Sequence, residues 1–187
     1  MGLYEVVRVE AKEGDSNNTW GLQWRTIIDA LCYRAAVSPS KLAFLFLDDD
    51  GREKRRITWG ELDQQARSLA VHLRHRRIGQ ERVLLLYPPT LDYILAFFGC
   101  LYAGAIPVPA YPPRQNKHNT RLQAIINDAA ISVTLCSSSV TARSRKMLSG
   151  VGQHAPLTWI ETDTLEDDLS SQWVPPQITE AAVALYL

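Results

Sequence analysis

Residues 84–114 read LLLYPPTLDYILAFFGCLYAGAIPVPAYPPR, and this stretch decides the fold class. An apolar strand pattern stops at Tyr87-Pro88-Pro89, an apolar helix pattern runs up to Gly104, and a second strand pattern stops at Tyr111-Pro112-Pro113. Two strand–helix steps with matching proline endings indicate a parallel α/β layer. Ligands of open parallel sheets bind beyond the carboxyl ends of the strands. We therefore expect a functional site at these loops, although the stretch itself contains no obvious catalytic group.

The flanking sequence alternates between strand and helix patterns in the same way. A helix is predicted from Trp24 to Val37, and a hairpin joins strands 42–47 and 52–57 through a turn at Asp48–Gly51. Thr58 and Glu61 form a capping box at the start of the next helix. The remaining predicted strands are 82–87, 106–108, 133–135, 157–160 and 182–187, and the remaining predicted helices are 58–79, 90–103, 120–130 and 137–147. This order predicts a mostly parallel, doubly wound α/β sheet with an antiparallel hairpin.

The composition is that of an ordinary globular protein of one domain. The chain has 187 residues, of which 46% are hydrophobic and 21% are charged. Lys+Arg and Asp+Glu number 20 each, so the net charge gives no reason to expect nucleic acid or an anionic membrane as a partner. The uncharged stretch from Tyr93 to Ala110 is too short a helix to cross a bilayer, because Gly104 ends it early. We expect no transmembrane segment.

The three cysteines are widely spaced and form no C-x-x-C pair. Cys100 stands between aromatic and aliphatic residues and is predicted to be a small buried apolar side chain rather than a catalytic thiol. An odd set of unpaired cysteines fits a reducing compartment. The N-terminus lacks the basic start and apolar run of a signal peptide. These features predict a cytoplasmic protein.

Several motifs imitate functional sites but lack the required context. The segment Gly150–Ala155 fits the dinucleotide pattern G-x-G-x-x-A, yet it follows a predicted helix end and precedes a strand, so we interpret it as a loop that stops a helix. His72 and His75 share a helix with three arginines, which would repel a metal ion, so we interpret them as part of a solvated basic helix end, with a phosphate or nucleic-acid contact as the alternative.

The acidic residues form no recognisable site either. Asp48-Asp49-Asp50 lacks the spacing of a calcium loop and is predicted to be a hairpin turn, and the acidic run Asp163–Ser171 is predicted to be a surface loop or short helix. No serine has the flanking glycines of a nucleophile elbow, and no glycine-rich phosphate loop with a lysine occurs. The sequence therefore assigns no catalytic, cofactor-binding or metal-binding residue.

Three segments resemble a known family. Ile57–Leu62 resembles the first core motif of AMP-forming adenylating enzymes, and Leu101–Pro109 resembles their second core motif. Ala184–Leu187 is similar to the strand that leads into their third motif, the loop that holds the phosphates of ATP. Within this superfamily, the ending Pro109–Arg114, which reads PAYPPR, is similar to fatty acyl-AMP ligases. The resemblance covers residues 26–187.

The resemblance implies a domain organisation. Residues 1–20 would be an N-terminal arm, and residues 21–187 would be the N-terminal subdomain of an AMP-binding adenylation domain, the first part of its large domain. The chain would then be truncated before the phosphate loop. Because the family's catalytic groups lie beyond that point, none can be assigned to this chain, which we expect to be a scaffold that is inactive alone. Tyr111, Pro112, Pro113 and Arg114 are expected to approach the substrate cleft or a partner surface.

The resemblance also implies a reaction for the full-length enzyme. A fatty acid carboxylate attacks the α-phosphate of ATP bound with Mg²⁺, and the products are acyl-adenylate and pyrophosphate. The acyl group then passes to the phosphopantetheine thiol of an acyl carrier protein, often at the start of a polyketide or nonribosomal peptide assembly line. Two alternatives stay open: a fragment of an acyl-CoA synthetase or amino-acid adenylation domain, and a non-catalytic interaction module.

Overall fold

The computed structural model describes residues 26–113, 120–148, 157–178 and 185. They belong to two compact units that divide between Asp63 and Gln64. Four sequence-based expectations lie outside the described residues: the N-terminal arm, the loop at Gly150–Ala155, residue Arg114 and, apart from Leu185, the final strand. No helix within the described ranges is long and apolar enough to span a membrane.

The first unit begins with helix α1, Ile27–Val37. Its start is fixed by a capping box that the sequence analysis missed. The Asp29 N–H donates to Thr26 Oγ1 at 3.2 Å, and the Thr26 N–H donates to Asp29 Oδ2 at 2.9 Å. Asp takes the place of the more usual Glu or Gln at this position, and the helix therefore begins three residues later than the predicted Trp24.

The predicted hairpin is confirmed. Strand β1, Leu42–Leu47, pairs antiparallel with strand β2, Glu53–Thr58. In the turn, Asp48 Oδ1 accepts hydrogen bonds from the N–H groups of Asp50 and Arg52 at 3.0 and 2.8 Å. Gly51 has φ +76, which only glycine adopts without strain. The three consecutive aspartates thus make a turn, as predicted.

Helix α2, Trp59–His75, starts with the predicted capping box. Glu61 Oε2 accepts from the Thr58 N–H at 2.8 Å, and the Glu61 N–H donates to Thr58 Oγ1 at 3.3 Å. The predicted apolar face is buried along the whole helix: Leu62, Ala66, Leu69, Ala70 and Leu73.

The end of α2 differs from the prediction, which placed it near Gly79. The Ile78 N–H donates to Leu73 O at 3.0 Å, which closes the helix in a Schellman motif. Arg77 then takes the left-handed conformation, with φ 60, that glycine usually provides. The helix therefore ends earlier than predicted, because the left-handed residue that ends it is Arg77 rather than a residue at Gly79.

Four parallel strands form the sheet of the second unit. They are β3 (Arg82–Leu86), β4 (Ile106–Ala110), β5 (Val133–Cys136) and β6 (Thr158–Glu161), in the order β4-β3-β5-β6. The chain moves outward from β3 to β4 and then returns to the other side of β3 to form β5. The order therefore reverses between β3 and β5, which is the topological switch point of a doubly wound sheet.

Helices cover the sheet, as the alternating pattern predicted. They are α3 (Leu91–Ala103), α4 (Thr120–Asp128) and α5 (Ser138–Met147). Val83 to Leu86 of the central strand β3 are fully buried, consistent with a strand covered on both faces. Leu84 and Leu86 pack in one core cluster with residues of α4 and with Leu148 after α5. Cys100 of α3 is also fully buried, and this burial raises the pKa of its thiol.

The segment after β6, residues 162–178, is here called the strap. It holds two short 3₁₀ turns, Thr162–Thr164 and Ser170–Gln172. Residues 163–171 were predicted to be an acidic surface loop or short helix, and the two turns agree with the second of these, but the backbone is also bonded to α2. Ser68 Oγ donates to Asp167 O at 3.1 Å and accepts from the Leu169 N–H at 3.0 Å. The strap is thus a fixed element of the second unit.

Candidate functional site

The carboxyl ends of β3 and β5 meet at the switch point, where a buried hydroxyl chain links them to the end of β6. The Tyr87 hydroxyl lies 2.8 Å from Thr162 Oγ1, and Thr162 Oγ1 donates to Cys136 O at 3.4 Å. Since Thr162 donates its single proton to that carbonyl, Tyr87 is the donor to Thr162. Burial raises the pKa of the Tyr87 phenol far above its usual range. Tyr87 thus links the end of β3 to Thr162 through a hydroxyl that stays protonated.

The N-terminus of α5 opens at the same edge and is capped by a residue of the strap. Asp163 accepts hydrogen bonds from the Ser138 N–H at 2.8 Å and from the Ser138 hydroxyl at 2.7 Å. Burial acts to raise the pKa of the Asp163 carboxyl, but the bonds from Ser138 outweigh it and hold that pKa below its usual range. A negative charge is also favoured at a helix N-terminus.

One sequence-based expectation is corrected at this point. The serines at 137–139 do begin the helix, but Ser137 makes no side-chain capping bond, and Asp163 supplies an acceptor instead. Asp163 is exposed, as expected of a surface segment, and it also caps the helix. A helix N-terminus at a switch point is where many α/β proteins hold phosphate, and here the chain's own carboxylate occupies it.

The two Tyr-Pro-Pro loops lie side by side but face different surroundings. Strands β3 and β4 are in parallel register, with Leu86 opposite Ala110, so Tyr87 and Tyr111 follow at the same level of the edge. Tyr87 is buried, whereas the side chain of Tyr111 is 53% exposed. Pro112 is half-buried and Pro113 is buried. Of the predicted site residues, Tyr111 is therefore the one that presents an aromatic surface at this edge.

No group of three His, Cys, Asp or Glu side chains in the described ranges is placed to hold a metal ion. The Cys136 thiol lies 3.0 Å from Thr141 Oγ1, and burial raises its pKa, which disfavours the reactive thiolate. All three cysteines are free thiols. The groups found at this edge are therefore aromatic rings and hydroxyl groups.

Comparison with known proteins identifies the family. The model of the AMP-binding enzyme family matches residues 32–184. The chain belongs to the AMP-binding enzyme family. This result confirms the family that the core motifs at Ile57–Leu62 and Leu101–Pro109 had indicated, and it confirms the α/β fold expected of its members.

Within the AMP-binding enzymes, the relatives found include fatty acid ligases. The chain is 36% identical over 166 residues to the medium-chain-fatty-acid–acyl-carrier-protein ligase JamA of Moorena producens, a match that covers 87% of the chain and 28% of JamA. It is 33% identical over 156 residues to the long-chain-fatty-acid–AMP ligase FadD32 of Mycolicibacterium smegmatis, covering 82% of the chain and 25% of FadD32. The chain thus spans about a quarter of the length of these relatives.

A solved structure gives the same result for the fold. The fatty acyl-adenylate ligase of L. pneumophila, solved in complex with acyl adenylate and pyrophosphate, superimposes with a TM-score of 0.74 at 33% identity. The match covers 88% of this chain and 28% of that one.

Proposed function

We propose that this chain forms the first part of the large domain of a fatty acyl-AMP ligase. Residues 21–187 are the N-terminal subdomain of the adenylation domain, and residues 1–20 are an arm that precedes it. The observation that carries the proposal is the similarity to JamA, 36% identity over 87% of the chain. The similarity in structure to the L. pneumophila ligase supports it independently.

The whole protein would activate a fatty acid. A carboxylate oxygen of the fatty acid would bond to the α-phosphorus of ATP as the bond from that phosphorus to the bridging oxygen breaks, and pyrophosphate would leave. Mg²⁺ would supply positive charge to the phosphate groups. The acyl group of the adenylate then moves to the thiol of an acyl carrier protein, and AMP leaves. JamA is named for an acyl-carrier-protein acceptor, which supports this choice of partner. We also propose a cytoplasmic location, which the three free cysteines support.

The described residues do not fit a bound ATP–Mg²⁺ complex. They hold no cluster of carboxylates for the cation, and the N-terminus of α5 is filled by Asp163. We therefore assign no catalytic step to them and propose a scaffold role. Buried strand ends joined through Tyr87 and Thr162 give the edge a fixed shape. Such rigidity is useful where a reaction depends on the positioning of bound groups.

The loop at 111–114 is proposed to border the cleft or a partner surface. The exposed ring of Tyr111 supports this role, because an aromatic side chain at a strand end offers contact area at small entropic cost. The prolines that follow limit the movement of the loop. Arg114 would add a positive charge there.

A chimaera tests the proposal. This chain would replace the matched segment of JamA. Exchange of pyrophosphate into ATP would be measured with a fatty acid and with an amino acid. Acyl transfer would be measured separately with CoA and with carrier protein as the acceptor. We expect fatty-acid-dependent exchange within about tenfold of JamA and transfer to the carrier protein. A folded chimaera that activates only amino acids, or that transfers only to CoA, would contradict the assignment.

A second measurement tests the scaffold role. The isolated chain should give no fatty-acid-dependent exchange. JamA serves as the positive control in the same assay. Turnover by the isolated chain would show that its residues hold a complete active site, and it would refute the scaffold role without affecting the assignment to fatty acids.

A further inference from the structure

A second concave surface lies at the opposite end of the sheet from the candidate site. It is an open groove of about 590 Å³ between the end of α2, the end of α3 and the last residues of the strap. Its apolar lining includes Ile78, Val174, Pro176 and Ile178, and its charged lining consists of Arg74 and Arg77. We call it the amino-end groove. Val174 is 63% exposed there, an unusual position for a valine.

The described residues that line the amino-end groove carry positive charge and no negative charge. They include two arginines and no acidic side chain. Arg74 Nη1 donates to Val174 O at 2.6 Å, which fixes one guanidinium against the wall of the groove. Arg77 is exposed, and its guanidinium makes no hydrogen bond or ion pair with the described residues. The nearby Glu81 is engaged by the N–H of Gly79.

The backbone of Arg77 has an uncommon conformation. The Arg77 N–H donates to Arg74 O at 2.8 Å in the Schellman motif, and its φ of 60 is a conformation that favours glycine. Helix α3 ends in the same motif with Gly104. Arg77 is also not required for the helix dipole, because the last turn already carries Arg74 and His75. Arginine is uncommon in this conformation, which Gln80 and Ala130 also adopt, so it is the exposed position in the groove that supports a role of the guanidinium.

We propose that the amino-end groove binds an acidic peptide segment of a protein partner. Carboxylates of the segment pair with Arg77 and with the remaining N–H groups of Arg74, and an aliphatic side chain packs on Ile78 and Val174. Arginine suits this role because its fork donates two parallel hydrogen bonds to a carboxylate. The C-terminal carbonyl groups of α2 and α3 carry partial negative charge and repel an anion. The basic residues in the last turn of α2 offset this repulsion. The site lies away from the carboxyl edge, so its test is separate from the tests of the proposed function.

A peptide probe tests the proposal. The probe is a fluorescein-labelled decapeptide of alternating glutamate and leucine, and its binding to the whole chain is followed by fluorescence anisotropy. Arg77→Gly should weaken binding about tenfold, the loss typical of one charge-assisted contact. This variant keeps the left-handed cap, so it should fold at least as well as the parent. Two controls should leave binding unchanged: Arg121→Gln removes an exposed charge on α4, and Ala130→Gly places glycine in another left-handed cap.

Three results would overturn the proposal: the acidic peptide fails to bind, a peptide with glutamine in place of glutamate binds equally well, or Arg77→Gly binds the acidic peptide as tightly as the parent does. If the acidic peptide fails to bind but octyl phosphate binds in an Arg77-dependent way, the groove is instead a site for a small amphiphilic anion. Binding of the acidic peptide that is lost in Arg77→Gly and retained in both controls supports the proposal.

Discussion

The carboxylate of Asp163 accepts two hydrogen bonds from Ser138, at 2.8 Å from its N–H and 2.7 Å from its hydroxyl. The two residues are 25 positions apart in the chain. This pair joins the strap to the first turn of α5 at the switch point. It is therefore both a helix cap and a connection between the end of β6 and the end of β5.

Asp163→Ala should destabilise the second unit. Loss of a capping carboxylate typically costs about 1 kcal/mol of unfolding free energy, and we expect the lower part of the usual range because Asp163 is exposed. Chemical denaturation followed by circular dichroism measures the change. Asp167→Ala is the matched control, since Asp167 contacts α2 through its backbone carbonyl rather than its side chain. Equal losses in the two variants would contradict the capping role.

The contribution of Asp163 should depend on pH. Its pKa is lowered in the folded protein, so its stabilising effect is fully present above the pKa of the unfolded chain and is lost as the pH falls through the folded pKa. The difference in unfolding free energy between the parent and Asp163→Asn should therefore shrink with acidification below about pH 4. A difference that stays constant between neutral and acidic pH would show that the charge of Asp163 is unimportant.

Ala130→Gly should stabilise the protein. Ala130 ends α4 with φ 48 and is exposed, so glycine relieves the left-handed conformation without loss of packing. The expected gain is about 0.5–1 kcal/mol. Ala124→Gly is the control, because it places glycine at an exposed position inside α4, where a loss of about 1 kcal/mol is expected. Thermal unfolding of both variants should shift in opposite directions; shifts of the same sign would refute the prediction.

Gly99→Ala should destabilise the protein although alanine is the better helix former. A Cβ at Gly99 would lie 2.7 Å from Leu69 Cγ and 3.0 Å from Leu69 Cβ, so α2 and α3 would have to move apart. Overpacking of this kind costs about 1–3 kcal/mol, which outweighs the helix propensity. The double variant Leu69→Ala with Gly99→Ala should show a favourable coupling energy in a double-mutant cycle. Strict additivity would contradict the clash.

Trp173→Ala should release the strap from the helices. The indole N–H donates to Tyr102 O at 2.9 Å, the two rings lie 4.8 Å apart, and the Arg67 guanidinium sits 4.4 Å from the indole centroid. Loss of these contacts should cost about 2–4 kcal/mol and expose the strap to limited proteolysis. The neighbouring Val174→Ala removes an exposed side chain and should change stability by less than about 0.5 kcal/mol. A strap as resistant in Trp173→Ala as in the parent would show that other contacts hold it.

Local signals predicted most of the elements. The apolar run of β3 and the capping box of Thr58 and Glu61 depend only on neighbouring residues, and the structure has both where the sequence placed them. Helix α2 was predicted too long because Gly79 was taken as its stop. Its actual end depends on Arg77 in a conformation that residue preferences disfavour.

The candidate site was predicted only in outline. The rule for parallel sheets indicated which edge to examine, but it could not distinguish the buried Tyr87 from the exposed Tyr111, which occur in the same Tyr-Pro-Pro pattern. The cap on α5 required the strand order, because Asp163 meets Ser138 only when β5 and β6 are neighbours. An acidic residue two positions after the end of a strand, once that order is known, is the signal that would have found it.

The prolines of β4 make the two edges of the four-stranded sheet differ in their hydrogen-bond donors. The Ile106 N–H points towards β3 and donates to Glu81 O at 2.8 Å. Because this direction alternates from residue to residue along a strand, the nitrogen atoms of Pro107 and Pro109 point away from β3. Those two residues have no N–H, and the outer side of β4 cannot donate a hydrogen bond to another strand. At β6 the Thr158 N–H points to Ser132 O, so Trp159 and Glu161 keep donors on the outer side. Within the described sheet, β6 is therefore the edge that retains outward donors, and β4 is the edge that resists pairing with a further strand.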